Sequence, residues 1–174
     1  MTSESPVWAV YEEYRTARLN VKYYSARVES LENWSLYLDI ASAVTVPSSA
    51  VSGLFFLKIP IVAKVWLYVV GGVVILSVIK PFLRFGQRIK LYDQTVSGYR
   101  ALDHDLHEIV LKIRTEASYS ASSKKMFDAA MKKKKALVTN PPERVSNKKL
   151  VEKFMLEVDS EIPSTSLFIP PQED

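Results

Sequence analysis

The sequence predicts an all-α membrane protein, in which a two-transmembrane helical hairpin is flanked by long cytoplasmic heptad helices and followed by a small C-terminal helical region. Three observations over the 174 residues lead to this prediction. Two long apolar runs lie in the middle of the chain, a seven-residue repeat precedes and follows them, and lysine-rich sequence comes after residue 118. The chain has no cysteine, which excludes a disulfide scaffold, a thiolate zinc site and a cysteine nucleophile.

Residues 1–33 are predicted to form an N-terminal cytoplasmic heptad helix. Their apolar side chains recur at two positions of a seven-residue repeat, which is the seam of a coiled coil. The members of this seam are Val7, Val10, Tyr14, Ala17, Val21, Tyr24, Val28 and Leu31. The pattern returns in residues 84–118, the second cytoplasmic helix, at Tyr92, Val96, Tyr99, Leu102, Leu106, Ile109 or Val110, and Ile113. Because both helices leave the same membrane face, they are expected to pack together or against neighbouring subunits.

Residues 34–83 are predicted to form the membrane hairpin. Its apolar runs cover about residues 36–57 and 61–83, and each is close to the roughly 20 residues that cross a bilayer. Aromatic side chains that favour the headgroup level lie near the ends of the runs, at Trp34, Tyr37, Trp66 and Tyr68. Nine Lys or Arg flank the outer ends of the hairpin and two lie at its turn. The positive-inside rule therefore predicts a multi-pass protein of the bacterial inner membrane with both termini cytoplasmic.

A polar stripe follows one side of the first run. Its members recur at three- and four-residue steps and are Asp39, Ser42, Thr45, Ser49 and Ser52. Polar side chains at membrane depth normally face a bundle interior or water, which favours the wall of a pore that several subunits enclose. Small hydroxylated side chains also let helices approach closely, so helix packing is the alternative.

Residues 119–160 are predicted to be a basic helical region that senses a ligand, and residues 161–174 an extended tail. Residues 121–153 contain ten Lys or Arg against three acidic residues. Ser120, Ser122 and Ser123 are candidate N-caps of a first short helix, and Ser146 is the candidate N-cap of a second.

The expected ligand of this basic region is a nucleotide or a short single-stranded oligonucleotide. Its phosphates would meet basic side chains, and its bases would stack on aromatic rings. The candidate ligand-binding residues are Lys124, Lys125, Phe127, Lys132, Lys133, Lys134, Lys135, Arg144, Lys148, Lys149 and Phe154. The alternatives are lipid headgroups and a merely solvated surface.

Nothing in the sequence indicates catalysis. The phosphate-binding loop, the nucleophile elbow and the zinc-protease helix motif are all missing from the 174 residues. His104 and His107 fall outside the heptad seam, where exposed histidines are expected rather than metal ligands. The sequence therefore predicts a protein that is not an enzyme, with no metal and no cofactor.

Four short segments carry a resemblance to a known family. The first helix contains Tyr11-Glu12-Glu13-Tyr14-Arg15 and Lys22-Tyr23-Tyr24-Ser25, the hairpin ends in Ile79-Lys80-Pro81-Phe82, and the next helix contains Tyr99-Arg100-Ala101-Leu102. In these residues and in architecture, residues 7–120 resemble the SLATT domains, which are two-transmembrane effectors of bacterial conflict and anti-phage systems. The resemblance implies a pore-forming effector that a nucleotide-derived signal controls, encoded beside a nucleotidyltransferase.

The expected function is thus an oligomeric pore or channel in bacterial anti-phage defence, gated at the basic region and causing abortive infection. The expected partners are further copies of the chain, most simply three in a tetramer, together with the lipid bilayer and the nucleotide signal. The alternative is a non-conducting membrane scaffold or adaptor whose polybasic segment binds lipid.

Overall fold

The fold is all-helical in the part of the chain that the computed structural model describes, which is residues 6–56, 64, 68, 71–72, 74–75, 78, 83–168 and 170. For residue 42 and residues 44–56 this description covers the backbone alone. The helices are α1 (Pro6–Phe56), α2 (Phe85–Glu116), α3 (Ala121–Thr139) and α4 (Lys148–Glu161), and a 3₁₀ turn follows at Ser164–Ser166. The all-α part of the predicted fold class is confirmed.

The membrane hairpin requires a correction. Among the described residues, no helix contains a stretch that is both long enough and apolar enough to cross a bilayer. The first predicted span is the end of α1, where five hydroxylated residues, Pro47 and Asp39 interrupt the apolar sequence between residues 36 and 56. Most of the second predicted span, residues 61–83, lies outside the described residues. The two-span hairpin, the multi-pass inner-membrane location and the pore that depended on them are therefore wrong.

The chain divides into two units, of which the first contains Met1–Arg27 and Leu91–Asp174 and the second contains Val28–Lys90. In the first unit, α1 and α2 run antiparallel with a constant register. Tyr14 lies beside His107, Arg18 beside Asp103, and Tyr24 beside Tyr99. In each pair the two residue numbers add to nearly the same value, as two straight antiparallel helices require.

The heptad seams meet inside this unit. Both seams contribute to one hydrophobic core, and the described residues of a single chain fill it. Its buried members on α1 and α2 are Val7, Val10, Tyr11, Tyr14, Ala17, Tyr99, Leu102, Leu106, Ile109, Val110 and Ile113. Burial of this much apolar surface is the main favourable term in folding. The predicted seams are confirmed from Val7 to Ala17 and from Tyr99 to Ile113, where they pack against each other within one chain. Val28 and Leu31 of the first predicted seam are not members of this core, whereas Tyr11, which lies outside the predicted seam, is.

Helix α3 packs antiparallel to α2. Lys112 donates to Ser122 at one end of the contact, and Lys133 donates to Asp105 further along. At the other end, α3 comes so close that a Cβ added to Gly98 would lie 2.4 Å from a methyl carbon of Leu137. The small size of Gly98 permits this close approach of α3.

The ends of the C-terminal helices are capped by short polar side chains. Ser120 accepts a hydrogen bond from the Ser123 amide and so caps α3, as its position predicts. The predicted cap of α4, Ser146, is one residue too early, because Asn147 accepts from the amides of Lys149 and Leu150. Asn and Ser are both strong N-cap residues, so local preference alone does not distinguish residue 146 from residue 147.

Helix α4 and the segment after it run antiparallel to α1. The Asn147 amide donates to the Tyr23 hydroxyl, and Tyr11 donates to the backbone carbonyl of Phe168 at the far end. Between these points Lys22 and Arg15 pair with carboxylates of α4. The described part of the first unit therefore contains four α-helices, with α1 contacting each of the other three.

In the second unit, α1 continues from Val28 and carries apolar side chains that are exposed. These are Trp34, Leu36, Tyr37 and Ile40. The described start of α2, Phe85–Lys90, contributes Arg88 and Lys90, which are also exposed.

Candidate anion-binding surface

The basic region predicted from the sequence is divided by the fold into paired and unpaired cations. On α3, Lys133 forms an ion pair with Asp105 of α2 at 2.6 Å, and Lys134 forms one with Glu13 of α1 at 2.5 Å. On α4, Lys153 lies 3.9 Å from Glu157. Three of the ten basic residues of this region thus have a carboxylate of this chain as a partner.

Four lysines of α3 form an outward surface, which we call the lysine face. Its members are Lys124, Lys125, Lys132 and Lys135, and all four are exposed. At about 100° per residue they fall within an arc of about 100° on the helix, and they span about 16 Å of its length. Asp128 lies within the same arc and lowers its net charge by one. Among the described residues, none of these four lysines forms an ion pair with a carboxylate.

The opposite side of α3 faces the core. Ser123 and Ala130 are buried there, and four larger side chains pack against the core cluster, namely Met126, Phe127, Met131 and Leu137. This division explains why α3 presents lysines outward. The apolar side chains recur at three- and four-residue steps, which orients one stripe of the helix inward and leaves the polar stripe in water.

The two predicted stacking residues belong to the apolar interior. Phe127 is partly buried against the core cluster, and Phe154 is only 9% exposed. The Lys153 ammonium lies 5.3 Å from the centre of the Phe154 ring. Neither ring offers the open face that stacking on a base needs.

The remaining predicted ligand-binding residues lie after α3. Arg144 is exposed in the loop between α3 and α4, and Lys148 and Lys149 are exposed in the first turn of α4. The structure places these three on different elements from the lysine face. Of the predicted ligand-binding residues, the four lysines of the lysine face are therefore the group that lies exposed on a single helix.

A polar cluster that the sequence did not predict lies around Glu143, in the loop between α3 and α4. Its carboxylate accepts hydrogen bonds from Tyr23, from Tyr92 at 2.9 Å and from Arg27 at 3.0 Å. Burial raises the pKa of Tyr23 and of Tyr92, and their bonds to Glu143 raise it further. Three donors on one carboxylate that is 13% exposed tie this loop to α1 and α2.

Aromatic stacking continues this cluster along α1. The Tyr24 ring stacks on Tyr99 at 5.6 Å between centres and also lies near Tyr92 and Tyr23. Burial, reinforced by Tyr99 and Glu143, raises the pKa of Tyr24 to about 12. The only signal in the sequence was that Tyr24, Tyr92 and Tyr99 occupy seam positions, and periodicity does not reveal which loop residue meets them.

The histidines lie on the surface of α2, as their position outside the seam predicts. His104 and His107 are both exposed, and Nδ1 of His107 lies 3.0 Å from the Tyr14 hydroxyl. Nearby Asp103 accepts from Arg18 at 2.9 Å, and burial raises the pKa of Asp103 while Arg18 opposes that rise. Within the described ranges, no group of three His, Asp or Glu side chains is arranged to hold a metal ion.

The predicted pore-lining stripe falls on α1. Asp39 is exposed, whereas the side chains of Ser42, Thr45, Ser49 and Ser52 lie outside what the structure describes. Their spacing places the five residues on one side of a helix. No pore can be assigned to them, because no described helix can cross a bilayer.

Comparison of the chain with protein-family models, with curated proteins and with solved structures finds no match. The resemblance to the SLATT domains and the neighbouring nucleotidyltransferase therefore stay predictions. The homo-oligomer also stays a prediction, although the heptad seams that suggested it are filled within one chain.

Proposed function

We propose that this protein is a helical binding module that recognises the phosphates of a single-stranded oligonucleotide through the lysine face of α3. The observation that carries the proposal is the selective lack of carboxylate partners on that face. In the same unit, Arg15, Arg18, Lys22 and Arg27 all form ion pairs with carboxylates. Cations that a fold does not neutralise internally are available to an external anion.

The spacing of the lysines favours a chain of phosphates over a single nucleotide. The four ammonium groups lie on flexible stems along about 16 Å of helix, so a ligand must be extended to meet all of them. An oligonucleotide carries one phosphate per nucleotide at regular intervals and can follow such a row. Phe127 and Phe154 are turned into the protein, so recognition through phosphates alone is expected, with little dependence on the base.

Titration of the full chain with a fluorescently labelled oligothymidylate, followed by anisotropy at several salt concentrations, tests the proposal. Each phosphate contact to a single strand contributes about 0.7 to the fall of log K with log salt, so four contacts give a slope of about −2.8. The Lys132→Gln variant should bind more weakly and lower the magnitude of this slope by about 0.7.

Matched variants separate the lysine face from net charge. Lys153→Gln removes one charge from α4, where the side chain is exposed, and should weaken binding much less than Lys132→Gln. In the opposite direction, Asp128→Asn should strengthen binding more than Glu152→Gln, because Asp128 lies within the lysine face. Equal effects within either pair would reduce the interaction to non-specific attraction by a basic protein and would overturn the proposal.

Two further titrations identify the source of the phosphates. Oligonucleotides of different base composition should bind with closely similar affinity, and inorganic polyphosphate should compete with them. If anionic lipid vesicles bind in a manner that depends on the lysine face and no oligonucleotide binds at low salt, the ligand assignment is wrong.

A further inference from the structure

The run Lys132–Lys135 is split by the helix into two kinds of lysine. Lys132 and Lys135 point outward, whereas Lys133 and Lys134 reach carboxylates on neighbouring helices. The two paired lysines differ in exposure. Lys133 is 59% exposed and its partner Asp105 is 31% exposed, while Lys134 and Glu13 are 26% and 25% exposed.

We propose that Lys133 is a fifth phosphate-binding lysine, which leaves Asp105 and pairs with a phosphate when the oligonucleotide binds to the lysine face. Asp105 acts in the free protein as an internal competitor of the ligand. This inference rests on the proposed function, because it requires a phosphate chain on the outer side of α3.

Position and exposure favour this exchange. Lys133 follows Lys132 directly in the chain, so its Cα lies about 100° further around the helix and about 80° beyond the nearest edge of the lysine face. Its four-carbon stem lets the ammonium group reach a phosphate beside Lys132 without movement of the backbone. After the exchange Asp105 is accessible to water, so its carboxylate is not left as an uncompensated buried charge.

The same reasoning assigns Lys134 a structural role. Lys134 lies on the inner side of α3. Ala130 precedes it by about one turn, and Leu137 follows it by nearly one turn. Its partner Glu13 belongs to α1 and is largely covered. Release of Lys134 would leave both charges poorly hydrated, so Lys134 stays with Glu13 when the ligand binds.

A double-mutant cycle on residues 105 and 133 of the full chain tests the inference, with the labelled oligothymidylate as the probe. With Lys133 as a fifth contact the unmodified chain should show a salt slope of about −3.5, and Lys133→Gln should return it to about −2.8, because one phosphate contact is lost. Asp105→Asn should raise affinity about two- to fivefold, the range that loss of an exposed competing ion pair allows. In the presence of Lys133→Gln, Asp105→Asn should give no larger gain than Glu152→Gln, which changes net charge equally.

Different results would overturn the exchange at Lys133 and the proposed function of the lysine face. If Lys133→Gln leaves the salt slope unchanged while Lys132→Gln reduces it, Lys133 stays with Asp105 and the exchange is wrong although the lysine face binds. If Asp105→Asn strengthens binding equally in the unmodified chain and in the Lys133→Gln variant, it acts through the long-range effect of charge, and the exchange is again wrong. If neither lysine affects the slope, the proposed function itself fails.

Discussion

The cations of α1 and the lysines of α3 belong to the same unit of the chain, but they differ in whether carboxylates of that unit pair with them. Along α1, Arg15 and Lys22 meet carboxylates of α4, Arg18 meets Asp103 of α2, and Arg27 meets the Glu143 loop. Along the outer side of α3, the four lysines of the lysine face meet no carboxylate of the described chain. The difference follows from position, because α1 contacts all three other helices of the unit whereas one side of α3 is exposed among the described residues.

Charge pairing therefore has different consequences in the two places. Ion pairs on α1 hold α4 and the Glu143 loop against the core, so they contribute to the stability and position of these elements. The lysine face contributes no such tie, and its like charges repel each other slightly at low salt. A row of basic residues thus indicates a ligand surface only where the fold leaves it without internal partners.

The largest effect on stability is expected at Glu143, whose carboxylate pairs with Arg27 of α1 and accepts hydrogen bonds from two tyrosines. Glu143→Gln removes the charge that Arg27 faces and leaves one acceptor oxygen for three donors. The free energy of unfolding should fall by about 2–3 kcal/mol, since bonds to charged groups are worth more than neutral ones and partly buried charges tolerate loss of a partner poorly.

Urea denaturation measures this change, and Glu152→Gln is the control because Glu152 is exposed on α4. The control should alter stability by less than about 0.5 kcal/mol. Equal destabilisation by the two variants would mean that the Glu143 cluster does not tie the loop to α1 and α2.

Ionisation of Tyr24 on α1 is expected to lower the free energy of unfolding at alkaline pH. The pKa of Tyr24 is raised from 10.0 to about 12, so the folded state holds this proton more tightly than the unfolded state does. The resulting stabilisation is complete below pH 10 and is lost as the pH rises towards about 12. Two pKa units correspond to about 2.8 kcal/mol, and because Tyr24 is only partly buried, solvent screening reduces the contribution to about 2 kcal/mol at most.

Urea denaturation across this pH range, with Tyr24→Phe as the test variant, isolates the contribution. The variant keeps the stacked ring but has no titrating hydroxyl, so its stability should decline less steeply between pH 10.0 and about 12. Tyr37→Phe, which changes a ring that is 66% exposed, is the matched control and should follow the unmodified chain. A Tyr24→Phe variant with the full alkaline loss would contradict the assignment.

The smallest effect is expected on the lysine face. Replacing Lys124, Lys125, Lys132 and Lys135 together by Gln should change the free energy of unfolding by less than about 0.5 kcal/mol, because Gln and Lys have similar helix propensities and no ion pair is lost. By contrast, Lys22→Gln alone removes the two contacts that this α1 lysine makes with carboxylates of α4, and it should lower the free energy of unfolding by about 1 kcal/mol. Thermal unfolding compares the two variants, and a larger loss for the fourfold variant would show that the outer side of α3 carries structural contacts.

The presence of helices and the residues of the core seam could be predicted from the local spacing of apolar residues. Seam residues such as Val10, Tyr14, Leu102 and Leu106 were predicted from seven-residue spacing and are buried. The same local reasoning placed the N-cap of α3 at one of three serines, and Ser120 is that residue. It failed at the membrane hairpin, where apolar runs were counted by length although hydroxylated residues and Asp39 interrupt the first of them.

What the sequence by itself determined is the presence of helices in the first unit and the side of α1 and α2 that turns inward, because the repeat of apolar residues acts over neighbouring residues. Only the tertiary structure decided which charges are neutralised. Lys134 and Glu13 are 121 residues apart, and Tyr23 and Glu143 are 120 apart, so no local pattern relates them. The lysine face, the pairing of Lys133 with Asp105 and the inward position of Phe127 all follow from how α3 docks on α1 and α2, since docking determines which carboxylates come within reach.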